Sequence, residues 1–153
     1  PDIGGTKRAR EFASKLNSEI VISDKHRKKA NEVEEIRVIG NVEGKNVVIV
    51  DDIIDTGNTL IKAAEVMLKA GAKSVRAFAT HPVFSANALE RLEKSQMEEI
   101  VVCDTIPLAR SSDKITVLSV ASLFARGIHN VYEHESISSL FDMPDSFQKE
   151  IKF

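Results

Sequence analysis

One cysteine stands in 153 residues, and neither sign of charge dominates. A single thiol, Cys103, cannot close an internal disulfide, so the fold must rest on core packing. It ends the apolar run Ile100 to Cys103 and reads as a buried structural thiol, which fits a reducing cytoplasm. No apolar run approaches the roughly 18 residues of a membrane span, and none reads as a secretory signal peptide. Lys+Arg number 21 against Asp+Glu 23, a net charge of -2, so no global field draws the chain to nucleic acid or anionic membrane. The four histidines, His26, His81, His129 and His134, lack metal-ligand spacing, although His81 follows a strand end where it could support a site. No internal repeat, low-complexity tract or linker divides the chain, so residues 1–153 read as one domain.

The opening Pro1-Asp2-Ile3-Gly4-Gly5 is a glycine-rich turn feeding a helix, an arrangement that normally follows a strand. No strand precedes it, and the sequence is expected to begin partway through a fold.

Helical spacing of Ala9, Phe12, Ala13 and Leu16 predicts a helix over Thr6 to Asn17. Glu19 to Ser23 is a short β-rich run, and Asp24 to Glu35 is so charged that an exposed, mobile loop is expected. Arg37 to Gly40 suggests a short strand. Asn46 to Asp51 predicts a strand apolar enough to be covered on both faces. Leu60, Ala63, Ala64, Met67 and Leu68 form the stripe of a core-facing helix, which Gly71 stops. Strands then follow at Ser74 to Thr80, Glu99 to Cys103 and Ile115 to Leu118, with helices at Ala86 to Leu92 and Val120 to Asn130. The alternation predicts an α/β domain, a doubly wound, mostly parallel sheet with helices on both faces.

The chemistry concentrates where Val47-Val48-Ile49-Val50 runs into Asp51-Asp52, followed by Asp55-Thr56-Gly57-Asn58-Thr59. Ligands of open α/β sheets bind beyond the carboxyl ends of the strands. No G-x-G-x-x-G is present. Gly40 to Asn46 misses the P-loop spacing by one residue and lacks its hydroxyl. The Thr56 to Thr59 loop offers free N–H groups at a helix start, a flexible Gly57 and two hydroxyls, which together suit a phosphate. Asp51 and Asp52 would repel that phosphate; they suit neutral hydroxyls, or Mg²⁺ held through water. A sugar phosphate lying across the strand end satisfies both halves. The competing reading makes the acids helix caps and solvated turn residues.

The loop resembles the phosphoribosyl-binding signature of the type I phosphoribosyltransferase-like fold. Five further stretches narrow the resemblance: P1-D2-I3-G4-G5-T6-K7-R8-A9, K25-H26-R27-K28-K29-A30-N31-E32-V33, A79-T80-H81-P82-V83-F84-S85, D104-T105-I106-P107 and E135-S136-I137-S138-S139-L140-F141. In that order they resemble the C-terminal half of the ribose-phosphate pyrophosphokinases, with the N-terminal half absent. The resemblance implies transfer of the diphosphoryl group of ATP to the C1 hydroxyl of ribose 5-phosphate, with Mg²⁺, giving phosphoribosyl pyrophosphate and AMP.

Residue by residue, the resemblance implies that Asp51 and Asp52 take the ribose hydroxyls with Asp55 beside them. Thr56, Gly57, Asn58 and Thr59 cradle the 5-phosphate, Asn58 standing where the family often has a second small residue. Lys25 and Arg27 become the catalytic cations of a closing loop that Asn31 helps shape, and Asp2 helps bind Mg²⁺–ATP. Ser136, Ser138 and Phe141 match a segment that forms a regulatory phosphate/ADP site between subunits, with inorganic phosphate a candidate activator. The alternative for this tail is a chain end with Leu140 and Phe141 packed in the core. The implied partners are the missing half and further copies of the chain, as a dimer or hexamer, and not nucleic acid or membrane. Two alternatives stay open: a nucleobase phosphoribosyltransferase, and a non-catalytic regulatory subunit of the synthetase.

Overall fold

The computed structural model describes residues 6–26 and 35–141. Their order is α1 (Thr6–Lys15), β1 (Ile22–His26), β2 (Glu35–Ile39), β3 (Asn46–Ile54), α2 (Asn58–Lys69), β4 (Ser74–Pro82), α3 (Ala88–Lys94), β5 (Glu99–Cys103), β6 (Ile115–Leu118), α4 (Ala121–Tyr132) and a closing 3₁₀ turn, Ser138–Phe141.

The central sheet is parallel, in the order β3-β4-β5-β6. Strand order never reverses, so successive right-handed crossovers carry α2 and α3 to the same face. Val75, Ala77 and Ala79 alternate along β4 and are completely or almost completely buried there. They share one apolar cluster with Leu60, Ala63, Ala64 and Met67 of α2, Leu92 of α3, and Ile100 and Val102 of β5. The stripe read from the sequence is therefore the buried face of α2, with Leu68 partly buried at its margin. Burying one such Leu or Ile contributes about 1.5–3 kcal/mol. The opposite face is met by α1, whose Phe12 ring lies 6.3 Å from that of Phe78 on β4, tilted by 54°. Helices thus cover both faces, as expected for an α/β fold.

β1 and β2 form a separate antiparallel pair. The charged segment expected to be a loop from Asp24 to Glu35 enters this pair at each end, with Lys25 opposite Ile36 and His26 opposite Glu35. Cross-strand pairing overrides the low β propensity of its charged residues. Residues 27–34 lie outside the described residues. The first strand consequently starts later than expected, at Ile22 rather than Glu19.

A second correction bears on the site. β3 does not stop at Asp51; it continues through Asp52 and Ile53 to Ile54. Its neighbour β4 is equally long, and pairing runs through Asp51 with Ala79, Ile53 with His81 and Ile54 with Pro82. The two acids therefore sit within the last part of a strand. Helix α2 starts at Asn58, two residues earlier than the apolar stripe suggests, so Asn58 and Thr59 belong to its first turn. Its far end closes as predicted: Gly71 takes a φ of 93°, and the Gly71 and Ala72 N–H groups reach the Leu68 and Met67 carbonyls.

Candidate functional site

Between Ile54 and Asn58 the chain has three residues, Asp55, Thr56 and Gly57, in which to pass from strand to helix. Gly57 makes the turn possible with φ 74° and ψ -5°, left-handed backbone that costs a side-chain-bearing residue about 1–2 kcal/mol. It is also pressed against α3: a Cβ at this position would meet Leu92 Cδ2 at 3.1 Å. Gly57 is the N-cap of α2, and its carbonyl accepts the first helical bond from Ile61 N–H at 3.0 Å.

The N-cap, being glycine, has no side chain with which to cap this helix. Asp51 and Asp52 themselves lie within β3 rather than at the helix start. The N–H groups of the first turn, at Asn58, Thr59 and Leu60, stand beyond the reach of any intrahelical acceptor. Thr56, Asn58 and Thr59 are exposed around them. A helix start behind a glycine N-cap, with adjacent hydroxyls, suits an anion.

One turn back along the chain the charge reverses. Asp51 is half-buried and Asp52 exposed. The Asp51 carboxylate accepts a hydrogen bond from the Asp52 N–H at 2.9 Å. Burial pushes the pKa of the Asp51 carboxyl above its ordinary value, making it the weaker acid, and the neighbouring Asp52 carboxyl pushes the same way. Hydroxyl donors or a cation would relieve this electrostatic tension. Among the described residues no group of three or more His, Cys, Asp or Glu side chains could hold a metal ion. Two adjacent carboxylates nonetheless fit Mg²⁺, which keeps most of its waters and usually binds through one or two carboxylates plus substrate phosphates.

β4 adds His81, across from Ile53 in the ladder. The ring nitrogen Nδ1 lies 2.9 Å from Thr105 Oγ1, which donates to the Thr80 carbonyl at 2.9 Å. The neighbouring Asp104 accepts from Val120 N–H at 2.9 Å, tying the end of β5 to the start of α4. The Ser119 hydroxyl and this N–H hold its carboxyl below the usual range.

Arg91, which the sequence reading passed over, reaches the loop from α3. Its Nη1 donates to Asn58 Oδ1 at 2.5 Å and its Nη2 to the Thr56 carbonyl at 2.6 Å. No local signal marks it: in sequence it is one more charge on a short amphipathic helix, 33 and 35 positions from its partners.

The structure thus gathers Asp51, Asp52, Asp55, Thr56, Gly57, Asn58 and Thr59 along one strand-turn-helix. Lys25 is placed by its backbone alone, in β1. Arg27, Asn31 and Asp2 lie outside the described residues. At the other end of the chain, Ser136 Oγ accepts from Ser138 N–H, and its carbonyl accepts from Asn130 Nδ2. Leu140 is half-buried near Gly127, but Phe141 is 70% exposed, so the expected alternative of a Phe141 packed in the core is not met. Together with α4, this tail lines an apolar cavity of about 450 Å³.

A family model described as the phosphoribosyl synthetase-associated domain matches residues 10–142. The ribose-phosphate pyrophosphokinase of Wolinella succinogenes is 56% identical over 141 residues, covering 92% of this chain and 46% of that protein. That of Helicobacter hepaticus is 52% identical over the same shares. The crystal structure of phosphoribosylpyrophosphate synthetase from Mycobacterium smegmatis superposes with a TM-score of 0.80 at 35% identity, covering 88% of this chain and 44% of that one. The chain spans about half the length of the curated relatives it matches.

Proposed function

Because the chain belongs to the phosphoribosyl synthetase-associated domain family, we propose that it supplies the ribose 5-phosphate site and catalytic loop of a ribose-phosphate pyrophosphokinase, as the C-terminal half of that enzyme. The observation that carries the reading is the paired charge reversal of one strand-turn-helix: Asp51 and Asp52 on β3, then the glycine-led start of α2. Ribose hydroxyls donate to the two carboxylates. The 5-phosphate lies on the first-turn N–H groups, with Thr56 and Thr59 hydroxyls beside it. The relatives' names support this over a nucleobase phosphoribosyltransferase.

The transfer makes a bond from the C1 oxygen to the β-phosphorus of ATP and breaks the bridge between the α- and β-phosphates, so AMP leaves and the hydroxyl proton is lost to solvent or base. Phosphoryl transfer depends chiefly on positioning and charge stabilisation. Asp51 and Asp52 hold the ribose so that its C1 oxygen is presented; Lys25 and Arg27 offset the charge spreading over the transferring group. Bound Mg²⁺ would neutralise phosphate charge, held by the Asp51–Asp52 pair on the sugar side and with help from Asp2 on the ATP side. The adenine-binding residues, and a complete ATP site, belong to the other half of the enzyme. The same reading places the protein in the cytoplasm as a homo-oligomer and gives Ser136, Ser138 and Phe141 a part in binding inorganic phosphate or ADP.

Calorimetric titration of the folded chain with ribose 5-phosphate and Mg²⁺ tests the reading. Saturable binding that weakens in Asp52→Asn supports it. A folded chain that binds no ribose 5-phosphate overturns the proposal that this chain holds the sugar-phosphate pocket.

A further inference from the structure

Arg91 is unusual in what it holds and in what it leaves unsatisfied. Its two terminal nitrogens grip successive parts of the loop, the Thr56 carbonyl and the Asn58 side chain, from a different helix. Its Nε is buried with no hydrogen-bond partner among the described residues. A sealed, unpaired N–H is costly, so this guanidinium is poorly arranged for stability alone.

The grip has a geometric consequence. The peptide joining Thr56 to Gly57 is planar, so its C=O and N–H point in opposite directions. Holding the Thr56 carbonyl toward α3 therefore aims the Gly57 N–H away from α3. The second hydrogen bond keeps the Asn58 amide on the α3 side, where it serves Arg91 as an acceptor. Leu92, the next residue of α3, presses on Gly57 itself. Two consecutive residues of α3 thus fix three consecutive residues of the loop. The planar fork serves the two acceptors from separate nitrogens held in fixed geometry, whereas a lysine ammonium would have to serve both from one atom on a flexible stem.

We infer that Arg91 is a positioning residue of this site, holding the Thr56–Asn58 turn in the shape that receives the phosphate of a sugar phosphate. The inference rests on the function proposed above for its ligand, but the restraint on the loop is a property of the free protein. Asn58 then acts mainly through Arg91, and its side chain is not a phosphate donor.

The test compares wild type with Arg91→Met, Arg91→Lys and Asn58→Ala by amide hydrogen exchange and by ribose 5-phosphate titration. In Arg91→Met, exchange at Ile61, whose N–H bonds the Gly57 carbonyl and is the first protected amide after the loop, should quicken by roughly tenfold and affinity should fall by a similar factor. Exchange in β4 and β5 should stay as in wild type. Arg91→Lys should recover little, and Arg91→Met/Asn58→Ala should bind no worse than Arg91→Met, since both remove one coupled unit. Unchanged exchange at Ile61 in Arg91→Met overturns the inference, as does unchanged affinity. A wild-type chain that fails to bind ribose 5-phosphate removes the proposed function instead; faster exchange at Ile61 in Arg91→Met would then still uphold the restraint.

Discussion

Gly57 and Leu92 fit together with no space for a Cβ between them: a methyl group at position 57 would stand 3.1 Å from Leu92 Cδ2 and 3.3 Å from Cγ. Leu92 is fully buried and has little freedom to yield. Gly57→Ala adds this clash to left-handed backbone, so a loss of about 2–3 kcal/mol is expected, summing backbone and overpacking penalties. Urea unfolding measures it. Ribose 5-phosphate affinity should fall together with stability, because the strained residue is the N-cap of the helix start proposed to hold the phosphate.

The acidity of Asp51 gives a pH dependence with a definite sign. Burial raises its folded value above the unfolded reference of 3.8, so the folded chain takes up this proton at higher pH than the unfolded chain. The ionised group opposes folding above the raised folded value, and that opposition fades as the pH falls toward 3.8. Asp51→Asn should therefore be more stable than wild type at neutral pH, with the gap closing in acid, while losing affinity for sugar hydroxyls or Mg²⁺. Urea midpoints at pH 7 and pH 4 check the first part. A gap that widens in acid would contradict it.

Glu93 behaves in the opposite sense. Arg110 grips it through two hydrogen bonds of 2.6 Å, and the acid is held down at about 2 from an ordinary 4.5, mainly by that guanidinium and then by the Ser112 hydroxyl. Its stabilisation is complete above 4.5 and is lost as the pH falls through about 2. Glu93→Gln should move acid unfolding to higher pH, with little difference remaining in high salt. Circular dichroism during acid titration shows the shift.

Lys25 offers a kinetic test in the longer enzyme. Lys25→Ala should lower kcat by roughly a hundredfold or more, the scale of removing one transition-state charge partner, and change ribose 5-phosphate affinity far less. Steady-state rates beside equilibrium titration separate the two. A fall in affinity with turnover intact would remove the role given to Lys25.

Local patterns carried much of the fold. β5 and β6 have the bounds that their apolar β-branched runs suggest, and the buried face of α2 is the stripe read from Leu60 to Met67. The acids at 51 and 52 misled on the end of β3, because ladder pairing with β4 outweighs their poor strand propensity. Lys25 entered a strand for the same reason. The strand-turn-helix of the site was legible because its residues are contiguous. Arg91 was not, since its importance arises only when α3 folds against the loop. α4 was legible as a helix, yet its periodicity could not reveal that none of its residues is buried among the described residues.

The threonine beside His81 sets more than a contact. Thr105 has a single hydroxyl proton, and that proton is committed to the Thr80 carbonyl. Toward His81 it can only accept, so Nδ1 of the neutral ring must carry the hydrogen. The tautomer is thereby fixed from outside the ring, and Nε2 keeps a lone pair. At neutral charge the imidazole is proton-seeking on its remaining side: it can receive a hydrogen from a sugar hydroxyl or a water, but has none to offer a phosphate oxygen. The hydrogen-bond chain from Thr80 through Thr105 to His81 thus carries acceptor character onto the strand beside Asp51 and Asp52, matching the part that the function proposed above gives to that pair.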